Sequence, residues 1–194
     1  MGLEEREYSV LVVSAAEKFN SVMSEMLSES GYRQVTFESG INSAKRACSE
    51  RSFDFVIVNS PLPDDVGTRF AIDVCASGGT VALIVVRADI FDEINEKVSR
   101  HGVYALSKPM SKPIVEMALK WMATSRERLR KTEKKALSIE EKMEEIRLVN
   151  RAKWLLISEL KMDEPGAHRY IEKQAMDRCV TRREVADEII KTYS

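Results

Sequence analysis

Apolar residues follow two rhythms along this chain. Up to about residue 110, short apolar runs alternate with segments of helical spacing; beyond it the spacing is helical throughout. The runs at 8–13 (YSVLVV), 53–58 (FDFVIV) and 80–86 (TVALIVV) are rich in β-branched residues and continuous rather than alternating, as strands buried on both faces must be. Weaker runs at 34–37 and 103–106 predict two further strands. Between them, 17–30 is expected to be helical with Phe19, Val22, Met23, Met26 and Leu27 inward and Gly31 ending it. Residues 41–49 present Ala44, Ala47 and Cys48 on one side; 68–75 and 92–99 are shorter helices, and His101-Gly102 is a helix end. Strands alternating with helices predict a five-stranded parallel sheet with helices on both faces, the flavodoxin-like doubly wound order, whose functional edge lies at the C-terminal strand ends.

No Gly or Pro occurs from residue 114 to 160, so one long helix is expected there. A heptad frame with a at Val115, Met122, Leu129, Ala136, Met143 and Asn150 places d at Ala118, Ser125, Thr132, Ile139, Ile146 and Lys153. That seam predicts a coiled coil and a parallel homodimer, with Asn150 setting register. The competing expectation is a solvated single helix carrying charge pairs such as Glu127–Lys131.

Asp163-Glu164-Pro165 opens the next helix, with Ala167, Tyr170, Ile171, Gln174 and Ala175 along its inner side, followed by Met176. Thr181 and Glu184 form a capping box for a last helix whose apolar face is Val185, Ala186, Ile189 and Ile190, with Val180 as staple. Trp154, Leu155, Leu156 and Leu160 of the long helix are expected to face them. None of these helices is long enough to stand alone, so the three pack as a bundle. The expected organisation is a domain at 1–122, a linker helix at 123–146 and a helical domain at 147–194.

Composition adds limits. With 44% hydrophobic and 31% charged residues, the chain builds a sizeable core under a charged surface. Residues 1–125 carry 13 Lys and Arg against 17 Asp and Glu, 126–146 carry 7 against 6, and 147–194 carry 10 against 8. The mild basic excess at the C-terminal end permits nucleic-acid binding. Three cysteines without a C-x-x-C, and no His cluster, point away from a disulfide framework or a metal site. MGLEEREYSVLVV carries no basic leader, so the expectation is a cytoplasmic protein. No phosphate loop, nucleophile–base pair or ligand cluster suggests catalysis or a cofactor.

FDFVIVNSPLPDDVG resembles the phosphorylation-site segment of a response-regulator receiver domain, and Leu106-Ser107-Lys108-Pro109 resembles its Lys-Pro signature; the resemblance spans roughly 8–122. It departs at specific positions. Asn59 stands where a receiver has its acceptor Asp, Ser14-Ala15 where it has an acidic pair, and Val86 where it has Thr or Ser; only Lys108 matches. An amide is a poor nucleophile, and a hydroxyl beside a methyl does not hold Mg²⁺ as two carboxylates do. The expectation is a pseudo-receiver not switched by aspartyl phosphorylation. Asp64 and Asp65 are the nearest remaining carboxylates, and Lys108 has a structural role. Control is then open to a regulatory protein partner, a ligand in the altered pocket, or protein abundance.

Arg151-Ala152-Lys153, Leu155-Leu156, Ala167, Ala175-Met176, Val185-Ala186 and Ile189-Ile190 resemble the ANTAR domain, an RNA-binding antitermination module found behind receivers. Trp154 departs from a position where that family has a small residue, often Gly, and Ile171-Glu172 replaces a Leu-Arg pair. The resemblance implies binding of paired hairpins in a nascent transcript, which keeps a terminator from forming. Candidate RNA contacts are Arg151, Lys153, Arg169, Lys173, Arg178, Arg182 and Arg183, with Tyr170 assigned to the core. The alternatives are a DNA-binding regulator, disfavoured by acidic, Ala-rich helix faces, and a dimeric protein-interaction adaptor docking through the fourth and fifth strands.

Overall fold

A computed structural model describes residues 7–29, 32 and 34–193, and the expected helix end at Gly31 lies outside these. The strands β1 (Ser9–Val13), β2 (Gln34–Glu38), β3 (Phe55–Asn59), β4 (Val81–Arg87) and β5 (Tyr104–Lys108) form one parallel sheet in the order β2-β1-β3-β4-β5. Helices α1 (Glu17–Glu29), α2 (Ile41–Glu50), α3 (Thr68–Ala76) and α4 (Phe91–Ser99) connect them, with a 3₁₀ turn at Ala88–Ile90. This is the flavodoxin-like order expected from the apolar runs.

Why those runs are continuous is visible in the packing. Val10 and Val12, Phe55 and Ile57, Leu83 and Val85 point to one face, where they meet Met23, Met26 and Leu27 of α1. Leu11 and Val13, Val56 and Val58, Ala82, Ile84 and Val86 point to the other, against α2, α3 and α4. Each of the Val, Leu, Ile, Phe and Met side chains among them contributes on the order of 1.5–3 kcal/mol by leaving water, so a polar residue at any of these positions would be costly. Val22 of α1, expected inward, is 47% exposed. One residue before Met23, it is turned by about 100° off the buried stripe.

At the turn into α3, Gly67 adopts φ 84°, and a Cβ there would lie 2.6 Å from Val58 Cγ1. Only glycine meets both demands.

Helix α5 runs unbroken from Lys112 to Leu160. The chain divides into two compact units, residues 7–131 and 132–193 of those described, and α5 contributes to both. In the first unit Val115, Ala118, Leu119 and Met122 are buried in the sheet's core. This corrects part of the heptad frame: its first a and d positions, Val115, Ala118 and Met122, are consumed by packing on the sheet and cannot line an intermolecular seam. Ser125, the next d position, shares a 2.7 Å hydrogen bond with the Tyr104 hydroxyl.

Just beyond, Asp54 at the N-terminal end of β3 accepts hydrogen bonds from Arg126 Nε and an Arg130 guanidinium nitrogen, each at 2.8 Å. Its other oxygen accepts from the Ser9 backbone N–H at 3.0 Å. Burial on its own would raise the Asp54 carboxyl; the Arg126 and Ser9 hydrogen bonds and the two guanidinium charges outweigh it and hold the group below its ordinary value.

In the second unit the last turns of α5 pack with α6 (Glu164–Asp177) and α7 (Arg182–Tyr193). Its core is Ala152, Leu156, Ala167, Ile171, Ala175, Val185, Ala186 and Ile189. Asp163 caps α6, accepting from Gly166 N–H at 2.8 Å. The capping box on α7 is formed in both directions: Glu184 N–H donates to Thr181 Oγ1 at 3.2 Å, and Thr181 N–H to Glu184 Oε2 at 2.7 Å. Among the described residues no helix is long and apolar enough to cross a membrane.

Candidate functional site

Two places carry the candidate residues. The first is the C-terminal edge of the sheet. The registers of β1, β3, β4 and β5 bring Ser14, Asn59, Val86 and Lys108 to that edge. Asn59 and Ser14 are buried and joined: Asn59 Nδ2 donates to Ser14 Oγ at 2.9 Å. Asn20 Nδ2 donates to the Ser14 carbonyl at 3.2 Å. Ala15 is exposed, and Val86 is packed into the apolar core. Lys108 Nζ donates to the Ser60 carbonyl at 2.6 Å, and its burial lowers the ammonium below its ordinary value.

The loop carboxylates are engaged elsewhere. Asp64 accepts from the Ile41 and Asn42 backbone N–H groups, both at 3.0 Å, and so caps α2; these bonds hold its carboxyl low. Asp65 Oδ1 accepts from Gly67 N–H. A divalent cation of the kind a receiver phosphorylation site uses does not fit this donor set. Asn59 Oδ1, buried without a partner, is a single neutral oxygen, and the neighbouring Ser14 hydroxyl already holds the Asn59 amide. The described residues contain no cluster of His, Cys, Asp and Glu that could hold a metal.

The second place is the C-terminal bundle. Arg151 on α5, Lys173 on α6 and Arg183 on α7 are exposed and have no ion-pair partner among the described residues. The other candidate cations are occupied to different degrees. Lys153, half-buried, bonds Glu164 at 2.7 Å. Arg178 makes a two-pronged contact with Glu188 at 2.6 and 2.7 Å. Arg182 lies 3.1 Å from Glu145, and Arg169 Nε donates to the Pro165 carbonyl at 3.3 Å.

Residues assigned to the bundle's core lie outside it: Trp154 is 71% exposed and Tyr170 38%, and Met176, next to the inner line of α6, is on the surface. The buried line of α5 runs through Ala152 and Leu156, and that of α6 through Ala167, Ile171 and Ala175. At about 100° per residue, Trp154 points roughly 200° away from Ala152, and Tyr170 and Met176 flank the α6 line. Leu160 is also exposed.

Residues 138–190 match the family model of the ANTAR domain. This segment is an ANTAR domain. It lies behind a receiver-like fold: the chain is similar to the signal receiver domain of an HD domain-containing protein from Pseudomonas fluorescens Pf-5, with a TM-score of 0.59 at 20% identity over 68% of this chain and 96% of that one. It is likewise similar to the chemotaxis protein CheY4 of Vibrio cholerae, with a TM-score of 0.53 at 20% identity over 60% of this chain and 99% of the other. At these identities the likeness is one of fold.

Both parts together are similar to the transcriptional regulatory protein PdtaR of Mycobacterium tuberculosis, 28% identical over 184 residues that cover 94% of this chain and 89% of that protein. The ANTAR domain's boundaries include the α5 turns that carry Arg147, Arg151 and Trp154. Arg147 was not among the expected contacts, although it is four residues N-terminal to Arg151 and on the same side of the helix.

Proposed function

We propose that the chain is an RNA-binding transcription antitermination regulator that acts without aspartyl phosphorylation. The observation that carries this reading is an ANTAR domain with exposed Arg151, Lys173 and Arg183 that have no ion-pair partner among the described residues, joined to a receiver-like fold whose acceptor position is Asn59 bonded to Ser14. RNA hairpin loops offer unstacked bases and closely spaced phosphates, which suit such cations. Similarity to PdtaR, a transcriptional regulatory protein by name, supports a role in gene control.

The reading includes a homodimer. Past the turns used by the sheet, Leu129, Ala136, Ile139, Met143 and Ile146 keep the heptad spacing and are exposed on α5. A second copy would cover them, and two linked ANTAR domains would engage two hairpins with a gain in avidity. It places the protein in the cytoplasm, where transcripts emerge, and assigns it a binding rather than a catalytic role.

Crosslinking the protein to RNA in cells and sequencing the attached transcripts tests the reading. Enrichment of leader segments with tandem hairpins before terminators is expected; recovery of DNA fragments or protein partners without such RNA would overturn it.

A further inference from the structure

We propose that Trp154 is the base-stacking platform of the ANTAR domain, receiving an unpaired nucleobase from a hairpin loop while Arg147 and Arg151 engage the flanking phosphates. This rests on the RNA-binding reading above and names the contact that would give it grip.

A large aromatic side chain left 71% exposed on a helix that elsewhere buries Ala152 and Leu156 is unused by the fold. Its neighbours explain what it suits. Arg147, Asn150 and Arg151 are seven, four and three residues before it, and so lie along the same strip of α5. Arg147 is 3.9 Å from Glu144 at best, and Arg151 has no ion-pair partner among the described residues. The indole also borders a groove of about 550 Å³ lined by Asn150, Lys153, Ile157, Met162, Asp163 and Glu164. Neither carboxylate is idle there: Asp163 holds the Gly166 N–H and Glu164 holds Lys153. The indole therefore adjoins both a cationic strip and a groove that includes the apolar Ile157 and Met162. Nucleic acid presents the complementary pair of features, a flat π-face and an anionic backbone.

A second copy is the competing occupant, and the helix itself argues against it. The exposed aliphatic heptad positions end at Ile146 and are followed by Asn150 and Lys153. Trp154 is one residue past the latter, off the seam. In that frame Arg151 takes a b position, turned away from a partner helix, while Arg147 and Trp154 take e positions beside the seam, so a second copy would leave Arg151 uncovered.

The test uses the full-length chain carrying Trp121→Phe, so that Trp154 is its sole tryptophan. The probe is a pool of RNA hairpins with a randomised loop, enriched on the parent protein. Emission from Trp154 should be quenched as RNA is added, saturating together with a gel-shift titration. Trp154→Leu should weaken binding about ten- to a hundredfold, and Trp154→Phe should retain most of it. Helical content, followed by circular dichroism, should not change in either variant. Parent-like affinity in Trp154→Leu, with the emission of Trp154 in the single-tryptophan protein unchanged on RNA binding, overturns the stacking role and leaves the RNA-binding reading intact. Loss of the dimer in Trp154→Leu assigns the indole to a second copy instead and also overturns it. Failure of the parent to enrich any hairpin removes both readings.

Discussion

The Asn59 side-chain amide donates a hydrogen bond to Ser14 Oγ at 2.9 Å, across the adjacent ends of β3 and β1. A receiver needs a carboxylate nucleophile and a cation held by further carboxylates at this position. Here the Asn59 amide N–H is taken up by the Ser14 hydroxyl, and the two loop carboxylates cap α2 and hold the turn into α3. The protein is therefore expected to gain no phosphoryl mass when incubated with acetyl phosphate and Mg²⁺. Asn59→Asp alone should not restore transfer, because Ser14 and Ala15 still supply no anionic oxygen. Intact-mass spectrometry checks both; a stable one-phosphoryl increase in the parent contradicts the account.

Asp54 ties the start of β3 to α5 through Arg126 and Arg130, and its side chain is only 12% exposed. Asp54→Asn should destabilise the receiver-like unit by about 2–3 kcal/mol, because two guanidiniums lose their carboxylate. The folded-state carboxyl is depressed, so its stabilisation is complete above the unfolded value and is lost as pH falls through the lower folded value. The difference between parent and variant in urea unfolding should accordingly be full at neutral pH and shrink in strong acid. A difference that grows on acidification would contradict this.

Strand and helix order were legible because burial on both faces leaves a continuous apolar run, and helix faces leave a stripe. What stayed hidden depended on direction or distance. Trp154 sits in one apolar run with Leu155 and Leu156, and only the helical angle from Ala152 sets it apart. Val115, Ala118 and Met122 fit a heptad equally well whether the partner is another chain or the chain's own sheet, and only the fold decides between them. The Asp54 cluster joins residues more than seventy positions apart, and Asp64 caps a helix twenty-two and twenty-three residues earlier; no local pattern announces either. At the candidate sites, residue types were legible, while the partners that silence Arg178 and Lys153 were not.

Those partners separate the cations. Lys173→Glu and Arg183→Glu should each weaken RNA binding and reduce the slope of log affinity against log salt by about one. Arg178→Glu should act differently, since it sets two carboxylates together at Glu188 and weakens the α6–α7 contact. Filter binding across a salt series, with thermal melts of each variant, distinguishes the two behaviours.

The exposed stretch of α5 makes its own prediction. Ile139→Asp together with Ile146→Asp should convert a dimer to a monomer in sedimentation equilibrium without altering the receiver-like unit, whose α5 positions are buried in its own core. A parent that is strictly monomeric at micromolar concentration would remove the second copy from the account.

The central claim, RNA binding that does not wait for phosphorylation, is tested most directly by measuring hairpin affinity of the full-length chain with and without acetyl phosphate and Mg²⁺ at matched free Mg²⁺. The account predicts binding in both conditions with the same dissociation constant. Binding that appears only after phosphodonor treatment, or no binding to hairpin RNA in either condition, would contradict it.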